Sequence, residues 1–298
     1  MSGKNDNKQV TTYKKKSQLE SIWFRYKKNR LAMVGLFMLA IMILLAVSAP
    51  LFADYQKDAV SQNMKLRYLE PSFVNGHIFG TDHYGRDVFA RVIYGGRISL
   101  FVGLTSVIIS ALAGTTIGSV AGYYGGRVDN TLMRLMDVLL AIPQNLLAIS
   151  IVAALGPGMF NLLIAMSVSG IPEFSRIVRA SVLNIKNQEF VEAAVACGTN
   201  DARIIRKYIV PNAIGPLIVQ ATLAVAKAIL SISALSFIGL GVSPPTPEWG
   251  SMLSEAKSDM RLYPYLVIIP GIAIMLSVVA LNLIGDGLRD SIDPRLKN

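Results

Sequence analysis

The sequence predicts an all-α integral membrane protein with six transmembrane helices. Three observations carry that prediction. Hydrophobic residues make up 52% of the chain against 16% charged. The mean hydropathy is +0.47. The apolar residues are gathered into long, nearly uncharged runs, most of them near the roughly 20 residues a helix needs to cross a bilayer. The formal charge of +10 is concentrated in the N-terminal tail and in alternate loops. That pattern orients a membrane protein; it is not a nucleic-acid surface.

Taken in order, residues 1–30 form a tail and a short helix. Met1 to about Ser17 is polar and lysine-rich and is expected to lack fixed structure. Leu19, Ile22, Trp23 and Tyr26 then recur at helical spacing, with Arg25, Lys27, Lys28 and Arg30 between them. This predicts an N-terminal interfacial helix with Trp23 at headgroup depth; a plain basic flank is the alternative. Leu31–Phe52 is the first span. It starts too late and runs too long for a cleaved signal core, so it is retained. The rest of 31–97 is an outer loop broken by Pro71, Asn75 and Gly76. In it Thr81 and Asp82 read as the N-cap of a short helix, and the segment reads as a solvent-facing lead-in to the second span.

Residues 98–285 hold five further spans. Ile98–Ala121 carries Gly114 and Gly118 at the spacing that lets helices approach closely. Leu132–Leu155 is broken near Pro143. Met159–Ile171 is short and is expected to extend into Phe174 or beyond. Ile214–Leu240 and Leu266–Ile284 complete the set, and Pro143 and Pro270 are expected to kink their helices. Pro244, Pro245, Pro247 and Trp249 read as a stiff outer loop with an interfacial aromatic. Residues 286–298 are a tail. Six spans place both termini on one side. That side also receives Arg127, Arg176, Arg179, Lys186, Arg203, Arg206 and Lys207, so it is the cytoplasmic one.

One polar stretch interrupts the C-terminal half: Phe190–Pro211, within the loop 189–211. Good helix formers run from Phe190 to Ala196. Gly198-Thr199-Asn200-Asp201 reads as a helix stop, a turn and a new N-cap. A second helix then carries Arg203, Arg206 and Lys207 up to Pro211. The product is a helix–turn–helix outside the bilayer, with an acidic and a basic arm, shaped for another protein to grip.

Catalytic chemistry finds no foothold. No GxxxxGK followed by Ser or Thr occurs, so the chain does not hydrolyse ATP by the usual route. Cys197 is the single cysteine and makes no internal disulfide. With only His77 and His83, a histidine-rich metal site is not supported. Three residues stand out instead. Lys227 lies near the middle of the fifth span, where a charge costs about 2.5–3.5 kcal/mol; it must face water, a partner or an acid. Asp137 is placed to pair with Arg134 three residues earlier. Glu173, beside Pro172, is expected at the inner interface, which leaves no acid mid-span.

Five segments carry a resemblance: GTDHYGRDVFARVIYGGRISL, AGYYGGRVDNTLMRLMDVLLAIP, RIVRASVL, LSFIGLGVSPPTPEWG and GDGLRDSIDPRL. With them goes Glu192-Ala193-Ala194, then Gly198, then Pro211. Together they resemble permease subunits of bacterial ABC importers, specifically the C-type subunit of the dipeptide/oligopeptide/nickel family. Tyr208 and Val210 depart from the family's usual Ile and Leu in this loop. The resemblance implies the type I ABC-importer permease fold and a place in the bacterial inner membrane. It implies a heterodimer with a B-type permease, two ATPase subunits that bind ATP and Mg, and an extracytoplasmic solute-binding protein. Glu192, Ala193, Ala194, Gly198, Arg203, Arg206 and Pro211 would couple to the ATPases. Lys227, Asp137 and Pro143 fall to the pathway or the subunit interface. No cofactor, metal or nucleic acid is expected on this chain.

Two other readings stay open. One is the same machinery serving nickel or a metal chelate in place of di- or oligopeptides. An ion-driven secondary transporter would need inverted repeats or buried acidic relays, and neither is visible in the sequence.

Overall fold

The computed structural model describes residues 18–292 apart from Asn75. The expectation for Met1–Ser17, and the last part of the 286–298 tail, lie outside them. The described residues are helical, with isolated bridges only at Ser72–His77 and Thr81–Asp87.

Helix α1 (Gln18–Lys28) ends at Asn29, whose side chain accepts from the Ala32 N–H at 3.2 Å and so opens α2 (Arg30–Val47). The Tyr26 hydroxyl donates to the Ala32 carbonyl at 3.2 Å, and Tyr26 is buried. Trp23, 48% exposed, keeps the outward face. A one-turn helix, α3 (Ala49–Phe52), follows Ser48.

Helix α4 (Val88–Tyr124) is 37 residues long, about 55 Å at 1.5 Å per residue. It starts ten residues before the predicted Ile98. Its N-cap is Asp87, which accepts from the Ala90 N–H at 2.8 Å. Thr81 and Asp82 do not cap it. The Thr81 hydroxyl donates to the Leu66 carbonyl, and Asp82 accepts from the N–H groups of Tyr84 and Arg86. The expected lead-in is therefore a tightly bonded turn built on the helix start.

Next come α5 (Gly126–Leu140) and α6 (Gln144–Leu155), which meet at 84°. Pro143 opens α6, so the proline breaks this segment outright instead of kinking it. Helix α7 (Met159–Ile185) continues through Pro172, as the expected extension past Ile171 requires, and runs on to Ile185. It lies along α4, and glycine makes that possible. A Cβ on Gly114 would stand 2.5 Å from the Phe174 Cβ, one on Gly122 would stand 2.8 Å from the Val182 Cβ, and one on Gly118 would land on the Ser175 carbonyl. The predicted close-packing glycines thus seat α4 on α7. Ser110 adds a hydrogen bond across the seam to the Ser167 carbonyl at 2.7 Å.

The remaining helices are α8 (Glu189–Ala196), α9 (Asp201–Ile204), α10 (Val210–Phe237), α11 (Trp249–Glu255) and α12 (Tyr265–Ile292). The predicted second arm of the polar hairpin does not end at Pro211. A wider π-type turn over Ile205–Ile209 joins α9 to α10, with Pro211 in the first turn of α10. Proline is tolerated there because a first-turn N–H has no helical partner to lose. Asp201–Phe237 is in effect one helix. Pro270 lies inside α12, which passes through it unbroken.

Among the described residues four helices are long and apolar enough to cross a membrane: α2, α4, Asp201–Phe237 and α12. The bent pair α5–α6 makes a fifth if it counts as one span. The predicted fourth span, α7, is not among them; it carries Glu173, Arg176 and Arg179. Trp249 also departs from expectation. It is 3% exposed and donates through Nε1 to the Val92 carbonyl at 2.9 Å. It is a packing residue between α4 and α11, not an interfacial anchor.

Candidate functional site

Two regions concentrate polar chemistry. The first is the α8–α9 hairpin. Helix α8 is two-faced: Val191 and Ala194 are buried in a cluster with Val178, Val182, Ile204 and Ile209. Glu192, Ala193 and Val195 face outward. The helix stops in a Schellman turn. Thr199 N–H donates to the Ala194 carbonyl at 3.1 Å and Gly198 N–H to the Val195 carbonyl at 2.9 Å, with Gly198 at φ +72°. No atom lies within 4 Å of a Cβ built on Gly198, so the glycine is required for its backbone angle and not for space. Asn200 then caps α9, accepting from the Arg203 N–H at 2.9 Å.

The hairpin is braced to the long helices. The Tyr123 hydroxyl at the end of α4 donates to Asp201 at 2.9 Å, and Lys186 Nζ donates to the Gly122 carbonyl at 3.2 Å. A surface cavity of about 460 Å³ opens beside α8, between Tyr123, Lys186, Val191 and Glu192. Arg203, Arg206 and Pro211 are exposed. Of the other predicted residues, Glu192, Ala193 and Gly198 are exposed with them on the hairpin and the start of α10, whereas Ala194 is buried in the hairpin's core.

The second region is a polar face shared by α5, α6, α7 and α10. Lys227 Nζ lies 3.6 Å from Glu173 Oε2, with side chains 60% and 40% exposed. Glu173 Oε1 also accepts from Gln220 Nε2 at 2.8 Å. Glu173 stands mid-way along α7, facing Lys227 and Gln220 of α10. Asp137 pairs with Arg176 of α7 at 2.6 Å and not with Arg134. The 84° turn at Pro143 sets α5 across α7, and this brings the cross-helix arginine into reach. Ser231 donates to Asn145 at 3.1 Å.

A further charged group escaped the sequence reading. Arg86 and Arg91 are each 1% exposed. Arg86 Nε pairs with Asp82 at 2.6 Å and its fork reaches Glu255, which also takes Arg91 at 3.1 Å. Asp82, His83 and Glu255 present ligand atoms within 4.8 Å of one another. The two guanidinium groups already neutralise both carboxylates, so the cluster serves as a charged clamp between the start of α4 and α11. Burial holds the His83 imidazole below its ordinary pKa. Glu248, fully buried, opens α11 by accepting from Gly250 N–H at 2.9 Å and Ser251 N–H at 2.8 Å, and takes the Ser99 hydroxyl at 3.0 Å. Burial pushes its carboxyl up, and these hydrogen bonds act against that shift. The only sequence signal for Glu248 was its place directly before a helix start.

Residues 114–298 match the family described as the binding-protein-dependent transport system inner membrane component. The chain belongs to that permease family. Residues 17–71 match the N-terminal transmembrane domain of oligopeptide transport permease C. A dipeptide transport system permease protein DppC from Haemophilus influenzae is 42% identical over 96% of this chain and 98% of its own. Its namesake from Alkalihalophilus pseudofirmus is 46% identical over 91% and 88%. A glutathione transport system permease protein GsiD from Pectobacterium atrosepticum is 42% identical over 93% and 91%. The crystal structure of an amino acid ABC transporter with histidines shares the fold, with a TM-score of 0.51 at 17% identity over 66% of this permease and 91% of that chain. The permease is thus a multi-pass membrane component of a bacterial transport system. Its long helices are the scaffold that carries the polar α8–α9 hairpin.

Proposed function

We propose that this chain is one half of a heterodimeric translocation pathway for di- or oligopeptides, powered by ATP on other subunits. Peptide cargo is supported by the dipeptide and di/tripeptide permeases that align along nearly its whole length. Partners in this reading are a B-type permease, two ATPase subunits carrying ATP and Mg, and an extracytoplasmic solute-binding protein. Helix α7 serves as the sixth span, both termini are cytoplasmic, and α1 rests in the inner face of the bacterial inner membrane.

The observation that carries the coupling role is the geometry of α8. Its buried side packs on α7 and α9 and its outer side presents Glu192, Ala193 and Val195, while the segments on either side of it are tied to the end of α4, α9 through Asp201–Tyr123 and the end of α7 through Lys186–Gly122. An ATPase closing on this hairpin would move the attached helices as rigid levers, the two-state motion that alternating access requires.

The test is co-purification from detergent followed by uptake in proteoliposomes. Wild type should bring down an ATPase pair and a second permease, and Glu192→Ala or Gly198→Val should weaken that capture. Peptide uptake should need ATP. A chain that purifies alone, or whose uptake follows a proton gradient without ATP, would instead establish the ion-driven reading. Uptake of nickel or a metal chelate, and not of peptide, would reassign the cargo.

A further inference from the structure

The polar face on α7 carries charge in an order that a peptide would read. Glu173 and Arg176 lie one turn apart on α7, so they share a side of that helix. Glu173 meets Lys227 of α10, and Arg176 meets Asp137 of α5. Two ion pairs of opposite sense therefore sit one above the other. Gln220 adds a contact to Glu173 on one flank, and Asn145 with Ser231 adds a polar pair.

This strip does not suit lipid, because half-exposed charges within a span are expensive in hydrocarbon. It does not suit a sealed protein interface either. An ammonium offers three donors, yet among the described residues Lys227 has one ion pair, at 3.6 Å, and donates no hydrogen bond. A buried charge with unfilled donors is costly. Water supplies the missing partners, and so does a solute passing through.

We propose that Glu173, Lys227, Arg176 and Asp137 form a charge-exchange strip that receives the free termini of a peptide in the pathway. The cargo's ammonium takes the place of Lys227 or Arg176 beside Glu173 or Asp137, and its carboxylate takes the place of the acids beside Lys227 or Arg176. The fit is metric as well as electrostatic. One helical turn is about 5.4 Å, and one to two extended residues span about 3.3–3.6 Å each. Exchange of one ion pair for another keeps every charge neutralised, so the cargo is held weakly enough to leave. The inference rests on the importer reading and adds to it a binding surface and the chemical class it takes.

The experiment uses the complete importer in proteoliposomes, with Cys197→Ala as background. Gln220→Cys and Lys227→Cys should react with a water-soluble methanethiosulfonate reagent, and alanyl-alanine delivered by the binding protein should slow that reaction. Glu173→Gln and Lys227→Met should each cut alanyl-alanine uptake roughly tenfold, the scale of one lost charge-assisted contact. Lys227→Arg should restore uptake. Glu173→Lys combined with Lys227→Glu keeps the pair but inverts its sense against Asp137–Arg176, and should stay impaired. Rescue by that swap would make the pair merely structural and overturn the proposal. So would inert cysteines, or neutral variants that import like wild type while wild type is active. If wild type imports no peptide at all, the importer reading falls first and this inference falls with it.

Discussion

Arg91 donates to Glu255 at 3.1 Å across 164 residues of sequence, and the arginine is 1% exposed. The bond ties the first turn of α4 to the end of α11. Arg86 doubles it, and Asp82 completes the clamp. Together these residues fix this end of the helical scaffold.

Removing one partner should therefore leave a buried charge unpaired. Glu255→Ala is expected to destabilise the protein by about 3–5 kcal/mol. Arg91→Met with Glu255→Leu should cost less than the sum of the single changes. A double-mutant cycle on thermal unfolding in detergent checks this; additive losses would show that the two groups act independently.

At Gly114, Gly118 and Gly122 the seam between α4 and α7 leaves no room for a Cβ. Gly118→Ala drives its methyl into the Ser175 carbonyl, an overpacking expected to cost about 1–3 kcal/mol. Gly271→Ala on α12 is the control, because nothing lies within 4 Å of its Cβ and its backbone is ordinary helix. That change should be neutral or slightly stabilising, as alanine is the better helix former. Equal unfolding temperatures for the two variants would refute the seam.

Gly198 fails differently under substitution. Its surroundings are empty, so only the φ of +72° resists a side chain. Gly198→Val should strain the turn by about 1–3 kcal/mol, whereas Gly198→Asn should be nearly tolerated. ATPase capture should rank in the same order: glycine, asparagine, valine. Valine capturing as well as glycine would remove the turn from the coupling role.

His83 gives stability a pH dependence. Burial lowers its pKa below the ordinary 6.5. The folded state then binds fewer protons than the unfolded state as the pH drops past 6.5, so stability rises with pH in that window. Its contribution is full above 6.5 and is lost as the solution is acidified toward the folded-state value. Unfolding temperatures measured across this range should fall on acidification, and less steeply in His83→Gln. Identical slopes would show that burial does not act on this imidazole.

The sequence by itself determined the class of molecule and the position of its hairpin. Uncharged runs such as Leu31–Phe52 have few alternatives to crossing a bilayer, because every backbone polar group must be satisfied internally. Gly198 and Asn200 carry their turn and cap chemistry wherever the helices go, so the break between α8 and α9 was legible locally. The close-packing glycines were legible too, although not the helix they meet.

Only the tertiary structure decided the partners. Nothing near Asp137 in sequence points to Arg176, and nothing near Glu255 points to Arg86 and Arg91. Those pairs join helices whose relative placement follows from the Pro143 bend, the glycine seam and the burial of Trp249. Local propensity also misread one proline: Pro211 looked like the end of the hairpin's second arm and lies in the first turn of α10, because a widened turn joins α9 to α10 and a first-turn N–H has no helical partner to lose. Glu173 shows the same division. Its type and its neighbour Pro172 favoured an interface, while the neighbouring helix α10 placed it opposite Lys227. A charge is written into a chain locally, but what neutralises it is chosen by the fold.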